Sequence, residues 1–526
     1  MPKDEKPAVG WAPEVEALDA RRARMRQMGG EANIARHHAR GKLTARERLD
    51  MFIDAGSFRE IHPFSADAVY EGADLVEFTP KGLIEGSGKV GGRKVVVTAG
   101  DFTVKGGSGR GTRGGLGQEI GSAKKALQWR LPYIRLLDAV GGSVRGFEAL
   151  GRTYLPDGND YIAPEVELLQ EVPVASAVLG SVAGLPAVQA PMSHFSVMVK
   201  GISQIFPGGP PVVKAAFGLD ITKEELGGDQ IHTRVSGCID NVAATEAEAM
   251  EMIRRWLSYL PQSRDEMAPR VETDDDPERR DDWLLEAMPR DRRKVYDAKK
   301  ILASVVDRDS FFEIAPLYGR SRITGLARFN GYPVGIMINN PRALGGATDA
   351  HAGAKAMRLM QLCDLFNLPL ISLADEPGFL VGLESEKQGI ERAGARMVST
   401  VCLTTMPWCT VVMGRLYGVA GQCHHRASGM FQRMAWPSAN WGSMHIAGGV
   451  SAAYRAEIEA APDPEAKRQE IEARLNAIAN PLRTAEATGQ DLIDPRDTRA
   501  RICEFVEEAQ RVLVRQLGRS RMAYLP

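Results

Sequence analysis

PVASAVLGSVAG, residues 173–184, and PWCTVVMGRLYG, residues 407–418, share one pattern, P-x6-G-x3-G. Neither has a charged residue before its first glycine. Each opens with proline, which cannot donate to a β-ladder and so sits at a strand start. An apolar, β-branched run then reaches two spaced glycines, the signature of a buried strand ending in a tight turn. The flanking charge-free stretches, Val172–Val199 and Met397–Gly414, are long enough to suggest a membrane span. Pro173, Gly180, Gly184, Pro186 and Pro191 break the first, and Pro407 breaks the second, so both read as protein interior.

Working outward, the repeat extends over the whole chain. GSFREI (56–61) is matched by DSFFEI (309–314). GLIEGSGKVGGRKVVVTAGD from Gly82 is matched by GLARFNGYPVGIMINN from Gly325, each a hairpin entering a buried strand. LPYIRLLD (131–138) pairs with LPLISLAD (368–375), so Asp138 and Asp375 close equivalent strands and read first as turn caps. The expected division is an N-terminal extension 1–29, a first domain 30–270, a charged solvated linker 271–294 and a second domain 295–526. Strand and helix signals alternate in both halves, which predicts an α/β fold with strands covered on both faces. Asp491–Leu517 reads as a closing amphipathic helix, capped near Asp494–Pro495.

Composition excludes several classes of function. The 66 basic and 67 acidic residues leave a formal net charge of −1. There is no electrostatic footprint for nucleic acid or anionic membrane. Six scattered cysteines without a CxxC fit a reducing compartment. The first thirty residues lack an apolar core and carry acidic side chains, unlike a signal or transit peptide. The expected location is the cytoplasm, or the mitochondrial matrix only in a eukaryote.

The chemistry concentrates at the glycine turns. Amides opening a helix lack intrahelical partners and favour negative charge. Two such turns at repeated positions therefore suggest two oxyanion sites, although glycine also simply permits tight strand–helix packing. GGSGRGTRGGLG (106–117), VGGSVRG (140–146) and ADEPGFLVG (374–382) could cradle a phosphate or carboxylate; the first is not a Walker A loop. Cys423, His424 and His425 follow the second turn. Adjacent helical histidines diverge, and no complete metal ligand set can be written, so no metal is assigned. A Cys–His nucleophile lacks an orienting group, leaving structural or pocket-lining roles.

Ordered motifs then carry a resemblance: GKLTARERLDMFIDAGSF (41–58), FSVMVKGISQIFPGGPPVVK (195–214), ELGGDQIHTRVSG (225–237), WLSYLPQ (256–262), NGYPVGIMINNP (330–341), CDLFNLPLISLADEPGFLVG (363–382), AWPSA (435–439) and DLIDPRDTR (491–499). From about residue 30 to 520 the chain resembles the carboxyltransferase β subunits of biotin-dependent acyl-CoA carboxylases, of the propionyl-CoA and methylcrotonyl-CoA type. The resemblance implies two tandem crotonase-like domains of the ClpP/crotonase superfamily, built of stacked ββα units. It implies a carboxyl group passing from carboxybiotin, held on a separate carrier, to the enolate of a coenzyme A thioester. Backbone oxyanion holes would stabilise the charge, so no side-chain base is required. One hole falls on Gly418, Val419 and Ala420, and the other on Gly184 and Leu185. Gly106, Gly107, Ser108, Gly141, Gly142, Gly378, Phe379 and Gln422 would line the substrate pocket.

Implied partners are a biotin carboxylase and a biotin carboxyl carrier, since the chain holds neither an MKM biotinylation motif nor an ATP-grasp region. Self-association into a dimer-based ring, a hexamer, is also implied, in which the first half of one chain faces the second half of another. Departures from the family pattern cluster at the pocket. Pro186 removes one expected N–H, and Val419 replaces a glycine. Gln422, Asn440, His445 and the stretch 140–145 also differ. Two alternatives therefore stand beside carboxylation: decarboxylation or transcarboxylation on the same fold, and a non-catalytic scaffolding paralogue.

Overall fold

The computed structural model of the protein describes residues 10–107, 121–141, 148, 151–153, 159–426, 428–520 and 522–526. The chain divides into two compact units: Met1–His232 with Val242–Arg254, and Thr233–Asn241 with Arg255–Pro526. Each is built around one sheet.

In the first unit the sheet has seven strands, in the order Arg59–Ile61, Leu83–Val90, Arg93–Gly100, Tyr133–Leu137, Val174–Val178, Phe195–Val199 and Asn241–Ala243. The hairpin at Gly91–Gly92 makes the Leu83–Val90 and Arg93–Gly100 pair antiparallel; from Arg93–Gly100 through Phe195–Val199 the pairing is parallel. The central strands Tyr133–Leu137, Val174–Val178 and Phe195–Val199 are buried at every position. Helices Ser122–Trp129 and Asn159–Leu168 make the crossovers, as parallel neighbours require. That two-sided burial explains why strands 174–178 and 195–199 read as apolar runs without alternation.

The second unit repeats the plan. Its sheet runs Phe312–Ile314, Arg322–Phe329, Tyr332–Asn339, Leu370–Glu376, Trp408–Tyr417, Phe431–Ala435 and Asp491–Leu492, with Asn440–Gly442 added alongside Trp408–Tyr417. The prolines sit where the sequence places them. Pro132 and Pro173 accept through their carbonyls from Val96 and Tyr133 at 2.9 Å, and Pro369 and Pro407 accept from Gly335 and Leu370 at 3.0 and 2.9 Å. Each proline starts a strand with the one backbone group it still has. Behind this sheet Ile336, Ile338, Ile371, Val411 and Trp436 pack against Ile301, Phe505 and Val506. The closing helix is Thr498–Leu513, entered through Pro495–Asp497 with Asp494 accepting from the Arg496 amide at 2.9 Å.

Most of the segment 271–294, expected as a charged solvated linker, is exposed, but several of its residues anchor it to the second unit. Asp275 is buried and takes Arg279 at 2.8 Å, while Arg499 donates to its carbonyl at 3.0 Å. Trp283 Nε1 reaches Ser304 Oγ at 2.7 Å. Mixed charge looks the same in sequence whether it faces water or its own counter-charges. Among the described residues no helix is long and apolar enough to cross a membrane.

Candidate active site

In the first unit, the C-terminal ends of three neighbouring strands deliver the predicted glycines to one place. Lys105–Gly107 is a tight turn with φ of 49°, 69° and 68° at successive residues. Its Gly106 carbonyl accepts from Val140 N–H at 3.0 Å. Gly107 lies so close to Asp138 and Ala139 that a Cβ would come within 2.9 Å of each. Gly141 in turn faces Gly184, where an added Cβ would sit 3.2 Å from the Gly184 Cα. Gly106, Gly107, Gly141 and Gly184 are thus one backbone cluster.

Gly184 has φ +67° and opens the short helix Leu185–Gln189, with no side chain capping it. Ala187 N–H, the possible substitute for the donor that Pro186 lacks, bonds back to the Gly184 carbonyl at 3.0 Å. Ala187 N–H is therefore engaged within the turn and is not the substitute donor. Pro186 sits in the first helical turn, where its ring is tolerated.

The second unit builds the equivalent cluster. Leu344–Gly346 repeats the triple positive φ, at 49°, 61° and 85°. Glu376 pairs with Leu416 across parallel strands. Gly378 and Gly418 each follow two residues later, so they leave the sheet side by side. Gly418, φ +60°, opens the helix Gly418–Gln422, again without a capping side chain. Its first three N–H groups, on Gly418, Val419 and Ala420, have no intrahelical partner. Val419 and Gln422 are exposed and Ala420 is buried. Phe379 packs on Gly394, and the Thr348–Phe379 bridge ties this loop to the helix start at Ala350. Asn440 Oδ1 accepts from Tyr417 at 3.0 Å and the His445 ring meets Tyr417 edge-on at 5.8 Å. Two of the departures seen in sequence therefore surround the residue just before the turn.

The repeated pattern P-x6-G-x3-G now has a physical reason at each glycine. The first, Gly180 or Gly414, leaves room for a buried aspartate of the adjacent strand: a Cβ there would collide with Asp138 Oδ1 or Asp375 Oδ1. The second, Gly184 or Gly418, supplies the left-handed conformation that starts the turn. Asp138 and Asp375 are accordingly not turn caps. Asp138 accepts from Lys42 at 2.7 Å and Arg48 at 2.9 Å. Asp375 accepts from the Arg415 amide at 2.7 Å, its guanidinium at 2.8 Å and Tyr296 OH at 3.1 Å. Arg415 also donates to the Gly345 carbonyl at 2.9 Å, joining two site loops.

Cys423 and His424 take structural roles. Cys423 is buried, and burial pushes its thiol up to about 12, which removes it as a nucleophile. His424 is fully buried; Arg322 NH1 lies 2.9 Å from its Nε2 and Ser372 Oγ 2.6 Å from its Nδ1. Because a guanidinium only donates, Nε2 accepts and the proton sits on Nδ1. Burial and the Arg322 charge both lower the His424 pKa, keeping it neutral. Ser372, His424 and Glu376 line up like a hydrolytic triad, but Ser372 is fully buried and faces Nδ1, which carries the proton while Arg322 holds Nε2, so His424 cannot serve as its base. Among the described residues no cluster of His, Cys, Asp and Glu could hold a metal.

Ser108 and Gly142 lie outside the described residues, as do Arg110 and Arg113. The sequence reading missed Arg322 and Glu376, two fully buried charges beneath the second turn. The available signal was Glu376 itself, a second acidic residue directly after the repeated aspartate.

The chain matches the family described as the carboxyl transferase domain over residues 36–519. It is 37% identical over 498 residues to the propionyl-CoA carboxylase, carboxyltransferase subunit, of Haloferax mediterranei, covering 93% of this chain and 94% of that protein. It is 34% identical over 496 residues to the methylmalonyl-CoA decarboxylase subunit alpha of Veillonella parvula, covering 92% and 93%. A crystal structure of transcarboxylase 12S, described as a hexamer with methylmalonyl-coenzyme A and methylmalonic acid bound, is similar with a TM-score of 0.85 and 33% identity over 97% of both chains. Two parallel-stranded sheets ending in glycine turns agree with that neighbour's crotonase-like fold. The chain belongs to the carboxyl transferase domain family and is a carboxyltransferase of the biotin-dependent acyl-CoA carboxylase class.

Proposed function

We propose that this carboxyltransferase moves a carboxyl group between N1 of biotin and the α-carbon of a short acyl-CoA, with methylmalonyl-CoA and propionyl-CoA as the reacting pair. The observation that carries the reading is the pair of uncapped glycine turns at equivalent strand ends. Both reactants develop negative charge on an oxygen as the carboxyl group moves: the thioester oxygen as an enolate, and the ureido oxygen of biotin. Each turn presents backbone N–H groups to one such oxygen. Preorganised donors act most strongly where charge appears only in the transition state. Biotin, when bound, supplies the nitrogen that carries the carboxyl group; this chain supplies the backbone donors. Glycine suits the task, since a Cβ at Gly107 or Gly141 would press on the Asp138–Ala139 or Ala183–Gly184 backbone and keep these loops apart.

Biotin is proposed to arrive on a separate carrier protein loaded by a biotin carboxylase, and the subunit to work as a hexameric ring, as the 12S relative assembles. Six free cysteines support a reducing location, the cytoplasm. A second reading keeps the site and reverses the direction: the Veillonella relative is named a decarboxylase, and the same turns serve either way. The test incubates the purified chain with free biotin and malonyl-, methylmalonyl-, 3-methylglutaconyl- or longer carboxylated CoA thioesters. Biotin-dependent loss of the carboxyl group, fastest with methylmalonyl-CoA, is the expected result. Absence of exchange with every thioester, in folded protein that still binds them, would replace the enzyme by a scaffold.

A further inference from the structure

The second site rests on a charge that the duplicated plan does not provide. Glu376 follows Asp375, and the repeat places Ala139 at its position in the first unit. Its carboxylate is fully buried, accepts from Gly378, Arg322, Thr348 and Asn339, and lies 3.5 Å from His424 Nε2. Oε1 takes the Gly378 amide at 3.1 Å. Oε2 takes Arg322 at 2.5 Å, Thr348 Oγ1 at 2.6 Å and Asn339 Nδ2 at 3.0 Å. Two partners then reach further. Asn339 also donates to the Gly346 carbonyl at 2.9 Å, and Arg322 donates to His424 at 2.9 Å. One carboxylate thereby fixes the Leu344–Gly346 turn, the Gly378 loop and, through Arg322 and His424, the far end of the turn that begins at Gly418.

The first unit reaches a similar end by other positions. Arg135, at the place of Ser372, is buried beneath the helix Leu185–Gln189 and donates to the carbonyls of Gln189 at 3.2 Å and Met192 at 2.8 Å. Its carboxylate partner is Glu165 at 3.3 Å, which also accepts from Gln189 Nε2 at 2.7 Å. Both units therefore set an Arg–Glu pair under the turn helix, from non-equivalent residues. A buried ion pair is a poor route to stability, because desolvation offsets most of its attraction. Its strength lies in fixing position: donors on Arg322, Asn339, Thr348 and Gly378 converge on the one carboxylate.

We propose that Glu376 and Arg322 are positioning residues for the second turn, holding the Gly378 and Gly418–Ala420 backbone in the geometry that receives the developing oxyanion. The inference rests on the proposed carboxyl-transfer reading of these turns. Neither side chain touches the reactants; they act through the loops they hold.

The test compares the full-length protein with Glu376→Gln, Arg322→Met and the double variant. Deuterium uptake is measured first, as it needs no activity. Glu376→Gln should speed exchange in peptides covering 344–346, 376–380 and 418–426 and leave the first unit unchanged. Uptake unchanged in those peptides overturns the proposal even if the wild type proves inactive, whereas an inactive wild type with the expected uptake pattern removes only the carboxyl-transfer reading. The rates separate positioning from mere support. Among molecules that remain folded, Glu376→Gln should lower kcat about 100-fold with KM little changed, as for a lost transition-state interaction. The double variant, freed of an unpaired buried charge, should regain thermal stability while kcat stays low. Recovery of kcat together with stability would show that the pair only holds the fold, and the proposal would fall.

Discussion

Gly414 and Gly180 show how much one missing methyl can decide. Each leaves a space filled by the carboxylate of the neighbouring strand's aspartate, so an alanine forces a buried ion pair to move. Gly414→Ala and Gly180→Ala should each lower stability by about 1–3 kcal/mol, the range for overpacking a filled site. Gly345→Ala meets nothing within 4 Å and should cost about 1 kcal/mol through its φ alone; urea midpoints of the three would rank them. Cys423 is buried with its thiol raised to about 12, so Cys423→Ala should leave exchange activity intact. Iodoacetamide should label exposed Cys402 first without loss of rate. Glu376 gives the pH dependence. Burial, the largest single effect, would raise its pKa, but the Arg322 charge together with the neighbouring His424 and Thr348 outweighs it and holds the carboxyl down to about 2. A depressed carboxylate stabilises the fold fully above its unfolded value, near 4.3, and that contribution is lost as pH falls toward 2. Glu376→Gln should therefore be less stable than wild type at pH 7, and the gap in urea midpoint should close between pH 4.5 and pH 2.

Among elements, the short helix Leu185–Gln189 asks the sharpest question, because Pro186 removes a donor that its counterpart Gly418–Gln422 keeps. With Ala187 bonded to Gly184, the proposed reading leaves Leu185 as the donor of the first turn. Pro186→Ala should cost about 0.4–1 kcal/mol through the freer unfolded chain and should not slow carboxyl exchange. A clear loss of rate would mean that the proline ring itself shapes the pocket. The strands, hairpins and both turns were legible in the sequence because they are local: proline starts, apolar runs and glycine spacing repeat within a few residues. The partners of the buried charges were not. Asp138 finds Lys42 and Arg48, whereas its repeat Asp375 finds Arg415 and Tyr296, so duplication gave no clue to either. Arg322 meets Glu376 and His424 only once antiparallel and parallel pairings have been laid down. The same long-range folding anchored 271–294 to the second unit, which no local pattern announces.

At the scale of the whole molecule, one plan used twice yields two donor turns, and two reactants need two. Light scattering should return a hexamer if the chain assembles as its 12S relative does; a stable monomer that still transfers carboxyl groups would remove the need for a ring. The central claim is that both turns, rather than any acidic or basic side chain, carry the chemistry. The most direct test is steady-state carboxyl exchange between methylmalonyl-CoA and free biotin for Gly184→Ala and Gly418→Ala, each checked for native circular dichroism and assembly. The account predicts that either substitution lowers kcat by roughly 10²–10³, the loss typical of a displaced oxyanion donor. Both variants retaining wild-type kcat within about threefold, while folded, would contradict it and move the chemistry away from the turns.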